Sequence, residues 1–230
     1  MKTIGLIGGM SWESSAVYYK HINKQVNEQL GGVHSAKVLM YSVDYEPLVE
    51  LQRSENWVEI ANISIEISKK LQNAGADCLL ICCNTVHMVA EQLQKNISIP
   101  LLHIADVTGE EITKSKISKV GLLGTKFTME KDFFKGRLKQ KFNIDTILPD
   151  EADKNFVHNS IYNEFCKGIF TEETKREILK IIDRLIAKGA EGVILGCTEL
   201  PMLIKPTDLI IPSFDTTLIH STSAVNFALS

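Results

Sequence analysis

The 230-residue chain carries 25 basic and 28 acidic side chains, a formal net charge of -3, and an apolar fraction of 44%. That balance excludes an electrostatic case for nucleic-acid binding, and no apolar run reaches the roughly 20 residues a membrane helix needs. The apolar fraction suffices for a buried core, and the length accommodates one large α/β domain or two small ones.

Residues 3–8 are a short apolar run closed by Gly8-Gly9, the pattern of a first parallel strand and its tight turn. Ser11 is placed to cap the next helix, with Glu13 in its first turn. Val17, Tyr18, Ile22, Val26 and Leu30 follow at near-helical spacing, and Gly31-Gly32 ends the run. A strand is predicted over 36–43, then a break at Asp44-Tyr45-Glu46-Pro47, then a helix from Trp57 to Leu71. A buried strand over 78–82 ends at the Cys83-Asn84-Thr85 turn. A helix starts over 87–93, and 97–102 supplies another strand.

The second half repeats this order. Strands are predicted over 119–123, 145–148, 192–195 and 210–214, and helices over 129–140, 156–166 and 172–187. A final helix runs from Thr216 onward. The basic residues over 131–141, interrupted by Asp132, read as a solvated helix face. Alternating strands and helices predict parallel sheets with helices on both faces.

Two motifs recur between the halves. Gly75-Ala76-Asp77, an apolar run and Cys83 match Gly189-Ala190-Glu191, an apolar run and Cys197, at an offset of 114. Residues 4–9 (IGLIGG) resemble 120–125 (VGLLGT) at an offset of 116. Two copies are too few for a solenoid, but they fit two α/β halves around a pseudo-twofold axis. The expected division is 1–100, completed by 215–230, against 101–214, with an active site in the cleft between them. A parallel sheet presents its ligands at the carboxyl ends of its strands, where Cys83 and Cys197 fall.

Five cysteines at 78, 82, 83, 166 and 197 show no disulfide-scaffold spacing and read as free thiols of a cytoplasmic protein. The N-terminus passes straight into a strand-like run, without a signal peptide's longer apolar region. Cys78 and Cys166 read as small buried hydrophobes, and Cys82 should point away from Cys83 by strand alternation. Cys83 and Cys197 are open to three roles: nucleophile, metal ligand or proton-transfer group. Zinc is a poor match, because no Cys-x-x-Cys exists. A Cys83–His87 hydrolase leaves the second cysteine unexplained. Two thiols facing one carbon account for both, since racemisation removes a proton from one face and returns one to the other. The Gly8-Gly9 turn lacks the dinucleotide pattern, and no Walker motif is present.

Residues 4–14 (IGLIGGMSWES), Cys83-Asn84-Thr85 with His87, Gly124-Thr125 through Thr128-Met129-Glu130, and Gly196-Cys197-Thr198-Glu199 together resemble the pyridoxal-phosphate-independent aspartate/glutamate racemases over nearly the whole chain. The resemblance is strongest to the enterobacterial-type broad-specificity or aspartate/glutamate-specific members. It implies two flavodoxin-like, Rossmann-like domains and a homodimer. It also implies cofactor-free, metal-free racemisation of an acidic amino acid by Cys83 and Cys197. By the same analogy Met10 and Ser11 line the substrate pocket, Gln52 contacts the substrate, and the turns carrying Asn84, Thr85, Thr198 and Glu199 hold its α-amino and carboxylate groups. Arg53 is open to two roles, partner of the side-chain carboxylate or solvated helix residue. Thr125 and Thr128 either bind a carboxylate or only cap their helix, and Asn84 and Thr85 serve as donors and helix caps at once. Glu199 orients the substrate ammonium or tunes Cys197, and His87 and His103 read as structural. Some relatives carry Thr in place of the first cysteine and are described as preferring the L enantiomer; here both bases are present. Glutamate racemases of cell-wall synthesis typically carry His where Glu199 stands, which disfavours a dedicated glutamate racemase. The alternatives are a maleate isomerase or arylmalonate-decarboxylase-like enzyme, or a non-catalytic amino-acid-binding protein.

Overall fold

β1 (Ile4–Gly8) is buried along its whole length, as a strand covered on both faces must be. It pairs in parallel with β2 (Val38–Ser42) on one side and β3 (Cys78–Ile81) on the other. The computed structural model describes residues 1–230 and divides into two compact units, Met1–Ile104 with His220–Ser230, and Ala105–Ile219. In the first unit the sheet order is β2-β1-β3. In the second it is β5 (Asp145–Ile147), β4 (Lys119–Gly124), β6 (Gly192–Gly196) and β7 (Ser213–Asp215), again all parallel. Each unit is thus an α/β fold that begins in the doubly wound strand order 2-1-3.

The period of two along β1 and β3 sorts the first unit's core into two layers. Ile4, Leu6, Cys78, Leu80 and Cys82 pack on Tyr18, Ile22 and Val26 of α1 (Trp12–Leu30) and on Ala224, Val225 and Ala228 of α11 (Thr216–Leu229). Ile7, Leu79, Ile81 and Cys83 join the opposite layer with Ile60, Ile67 and Leu71 of α3 (Trp57–Asn73). Adjacent cysteines 82 and 83 therefore belong to different layers. In the second unit, α9 (Glu172–Ala187) buries Ile178, Ile181, Ile182 and Leu185 against Leu123, Val193 and Leu195.

The 114-residue repeat has a backbone cause. Gly75 and Gly189 turn the chain at φ +97° and +95°, a region that glycine enters at low cost. The next amides donate to equivalent helix carbonyls, Ala76 to Leu71 at 3.1 Å and Ala190 to Leu185 at 3.0 Å. The repeated acid then stitches the start of each unit's first strand. Asp77 Oδ2 accepts from the Thr3 amide at 2.6 Å, and Glu191 Oε2 accepts from Ser118 at 3.0 Å and Lys119 at 3.1 Å. Those two amides also lower the pKa of the Glu191 carboxyl.

Several local expectations are corrected. The break at 44–47 is the start of α2 (Tyr45–Arg53), because Pro47 sits in the first turn, where its missing N–H costs nothing. Residues 97–102 form no strand of their own; a parallel bridge joins Leu79 to Leu101. Leu79 N–H donates to the Pro100 carbonyl and Leu102 N–H to the Leu79 carbonyl, both at 2.9 Å. The chain after Asn84 enters a 3-10 turn (Thr85–Val89) before the short α4 (Ala90–Gln94). Sequence pattern did not announce α5 (Ile104–Lys114). The predicted helix 129–140 is two helices, α6 (Lys126–Glu130) and α7 (Asp132–Phe142), separated by extended Lys131. On α7, Arg137 and Lys141 both pair with Asp106 of α5, so part of that basic face is an interhelical contact. The helix predicted at 156–166 begins earlier, as α8 (Glu151–Asn163), because the Asp150 side chain caps it through the Asp153 amide at 3.0 Å.

Candidate active site

In each unit the first strand and the cysteine-bearing strand paired with it end side by side, so their terminal turns are adjacent. Ile7 pairs with Ile81 in the first unit and Gly124 with Gly196 in the second. No side chain fits between the latter two strands. A Cβ on Gly124 would lie 2.8 Å from the Gly196 carbonyl oxygen, and one on Gly196 would lie 2.7 Å from that of Leu123.

After β1, hydroxyls organise the turn into α1. The Gly9 amide donates to Ser15 Oγ at 2.7 Å, and that hydroxyl donates to the Ser11 carbonyl at 2.9 Å. Ser11 Oγ accepts from the Ser14 amide at 3.3 Å and lies 3.2 Å from Ser14 Oγ. Met10 is buried in the same core layer as Cys83. The second unit repeats the device after β4. Thr125 Oγ1 accepts from the Thr128 amide at 3.2 Å and lies 3.2 Å from Thr128 Oγ1. These serine and threonine pairs cap helices and present buried hydroxyls beside the cysteine turns.

Cys83, Asn84 and Thr85 are all buried just past β3. The Cys83 carbonyl receives a hydrogen bond from His87 Nδ1 at 2.8 Å. Gln52 is buried on α2, whereas its neighbour Arg53 stands on the exposed face, 3.8 Å from Glu46. An exposed ion pair of this kind contributes about 0–1 kcal/mol and does not lock the guanidinium in place.

Cys197, 8% exposed, directly follows β6. Its thiol donates to Glu199 Oε2 at 2.9 Å, and Thr198 Oγ1 donates to the same oxygen at 2.7 Å. Glu199 itself is only 2% exposed. Burial, followed by the adjacent Glu199 charge, pushes the Cys197 thiol well above its ordinary pKa, so it stands protonated at neutral pH. The other cysteines differ in kind. Burial pushes Cys78 up to about 12 and raises Cys82 further still, leaving two inert core thiols. Cys166 lies half-buried in the 3-10 turn after α8.

Sequence reasoning missed one element next to this site. Tyr18 of α1 and His220 of α11 are fully buried, and Tyr18 Oη lies 2.9 Å from His220 Nδ1. His220 in turn packs against the His87 ring at a centroid distance of 5.6 Å. Only a buried-looking histidine in the last apolar helix could have signalled it. No three His, Cys, Asp or Glu side chains are grouped to hold a metal ion, and no helix is long and apolar enough to cross a membrane.

The chain as a whole is similar to solved structures. A Yersinia pestis protein assigned as an Asp/Glu racemase superposes with a TM-score of 0.93 at 44% identity, over the full length of both chains. An aspartate racemase homologue from Pyrococcus horikoshii OT3 superposes with a TM-score of 0.87 at 34% identity, again over both full lengths. A Staphylococcus aureus glutamate racemase is 26% identical over 190 residues, covering 79% of this chain and 70% of its own. The family model described as Asp/Glu/Hydantoin racemase matches residues 7–224. The chain therefore belongs to the Asp/Glu/Hydantoin racemase family, as an amino-acid racemase.

Proposed function

We propose that the protein racemises acidic amino acids, aspartate foremost, without a cofactor, through Cys83 and Cys197 acting on opposite faces of one α-carbon. The observation that carries this reading is the equivalence of the two thiols. Each lies just past the carboxyl end of a strand paired with its unit's first strand, beside a hydroxyl-lined turn. Two independently built thiols suit a reaction that needs one base and one acid.

The protons balance without an outside reagent. In one direction Cys83 takes the α-proton as thiolate and the Cys197 thiol delivers its own proton to the other face. In the reverse direction Cys197, left as thiolate by that delivery, takes the α-proton and the Cys83 thiol returns its own proton to the opposite face. Glu199 Oε2, 2.9 Å from the Cys197 sulfur, is placed to exchange a proton with it. The hydroxyls of Ser11, Thr125 and Thr128, with Asn84, Thr85 and Thr198, are assigned to the substrate carboxylates and amino group, Met10 to the pocket wall. Buried Gln52 is assigned a direct substrate contact, and the weakly held Arg53 the side-chain carboxylate. The buried Glu199 carboxylate favours a substrate bearing an α-ammonium group over maleate or an arylmalonate. A cytoplasmic homodimer completes the reading.

The test is incubation of D- and L-aspartate, glutamate and maleate with the protein in EDTA, followed by chiral chromatography. Interconversion of the aspartate enantiomers supports the reading. Isomerisation of maleate with no amino-acid racemisation overturns it, as does binding with no exchange of the α-proton for solvent deuterium.

A further inference from the structure

His87 donates from Nδ1 to the carbonyl of Cys83 at 2.8 Å, while the amide of Ile104 points at its Nε2 at 3.2 Å. An amide can only donate, so Nε2 carries no proton and Nδ1 carries it. The ring is 2% exposed and neutral in this tautomer, with both nitrogens used. His103 and His220 wall it in, with ring centroids at 4.8 and 5.6 Å and interplanar angles of 62° and 60°.

His220 is fixed in the same way. Its Nε2 donates to the Leu102 carbonyl at 2.7 Å, and its Nδ1 accepts from Tyr18 Oη at 2.9 Å. Two imidazoles thus grip one short segment, at the Leu102 carbonyl and the Ile104 amide. Through His87 that segment anchors the main chain of Cys83; through His220 it is tied to α1 and α11. A leucine or phenylalanine would fill such space without the cost of burying polar nitrogens. What imidazole adds is a directional donor aimed at the carbonyl of the turn that carries the thiol.

At the second cysteine no imidazole does this: the Cys197 carbonyl accepts instead from the main-chain amide of Leu200 at 3.2 Å. The residue 114 positions after His87 is Pro201, within the short α10 (Leu200–Leu203). There the thiol itself is held, by Glu199.

We propose that His87 is a positioning residue for Cys83, setting the direction of that thiol through its main-chain carbonyl and acting on only one of the two proton transfers. This rests on the racemase reading above. Because the equilibrium constant of racemisation is unity, kcat/KM must fall equally in both directions. The asymmetry appears instead in α-deuterium exchange without inversion, measured separately for D- and L-aspartate. The enantiomer deprotonated by Cys83 is the one whose exchange is lost in Cys83→Ala.

Two near-isosteric variants separate the two bonds of the ring. In His87→Asn the amide nitrogen keeps the donor to Cys83. In His87→Gln the amide oxygen keeps the acceptor for Ile104 but the donor is gone. The expected result is a loss of about 10- to 100-fold in kcat for exchange of the Cys83-dependent enantiomer in His87→Gln, with KM little changed. His87→Asn restores most of it, and the other enantiomer is spared in both. Alkylation of each cysteine by iodoacetamide, followed by peptide mass spectrometry, reads the same device without turnover. His87→Gln should speed modification of Cys83 by about threefold or more and leave Cys197 unchanged.

Equal loss on both enantiomers, no rescue by Asn, or unchanged Cys83 alkylation overturns the proposal. Wild-type protein that exchanges neither enantiomer overturns the racemase reading instead, and the alkylation comparison still decides the role of His87.

Discussion

Acidification should destabilise the first unit through one histidine. Burial depresses His220 from about 6.5 to about 3. A depressed group contributes stability that is fully present above its unfolded pKa and is lost as pH falls toward the folded value. Between pH 6.5 and about 3 the unfolded chain therefore binds the extra proton. Each pH unit in that window removes about 1.4 kcal/mol, and the whole interval is on the order of 5 kcal/mol. That is comparable to the total stability of an ordinary domain, about 5–15 kcal/mol. The Tyr18 hydroxyl can turn to accept from a protonated Nδ1, so desolvation carries the cost and not a lost hydrogen bond. Urea unfolding at pH 7.5, 6.5, 5.5 and 4.5 measures the slope. In His220→Gln the amide nitrogen can still donate to Leu102, but nothing titrates. Its stability should fall less steeply than wild type by about 1 kcal/mol per pH unit below 6.5, carboxylate contributions being common to both proteins. Parallel slopes in the two proteins would refute the argument.

Cys83→Ala and Cys197→Ala should each abolish racemisation while leaving the thermal midpoint within a few degrees, checked by chiral chromatography and differential scanning calorimetry; full activity in either removes the two-base assignment. Glu199→Gln takes away a carboxylate that raises the Cys197 pKa, so the alkaline limb of Cys197 alkylation should move to lower pH. The same variant loses a buried charge-assisted bond of about 1.5–3 kcal/mol, a 10- to 100-fold scale of effect on kcat. Gly9→Ala combines φ +91° with a Cβ 2.3 Å from the Val43 carbonyl oxygen and 2.5 Å from its amide nitrogen. It should cost about 3 kcal/mol or more. Gly75→Ala, at φ +97° with nothing within 4 Å, should cost only about 1–2 kcal/mol in the same urea titration.

Much of the molecule follows from neighbours in the chain. The cap at Ser11, the buried face of α1, the bounds of α9 and the terminal turns of β3 and β6 depend on contacts within a few residues, and the pattern of residue types specifies them. The twin positions of Cys83 and Cys197 were legible for the same reason, since a glycine turn, a short strand and a polar end recur at fixed spacing. Where local signals conflict, the sequence misleads. Pro47 reads as a break and proves to be a first-turn residue, while Ser98 and Pro100 leave only a bridge where a strand was expected.

Other features arise from residues far apart in the chain. Tyr18 meets His220 across 202 positions, and His220 meets Leu102 across 118. Which of Gln52 and Arg53 is buried, and which faces solvent, depends on how α2 lies on its unit. Residue order determines local backbone geometry because steric and hydrogen-bonding preferences act over a few bonds. Which buried polar groups satisfy one another is decided only when the layers pack, and that packing turned His87 from a residue near Cys83 into the donor that holds its carbonyl.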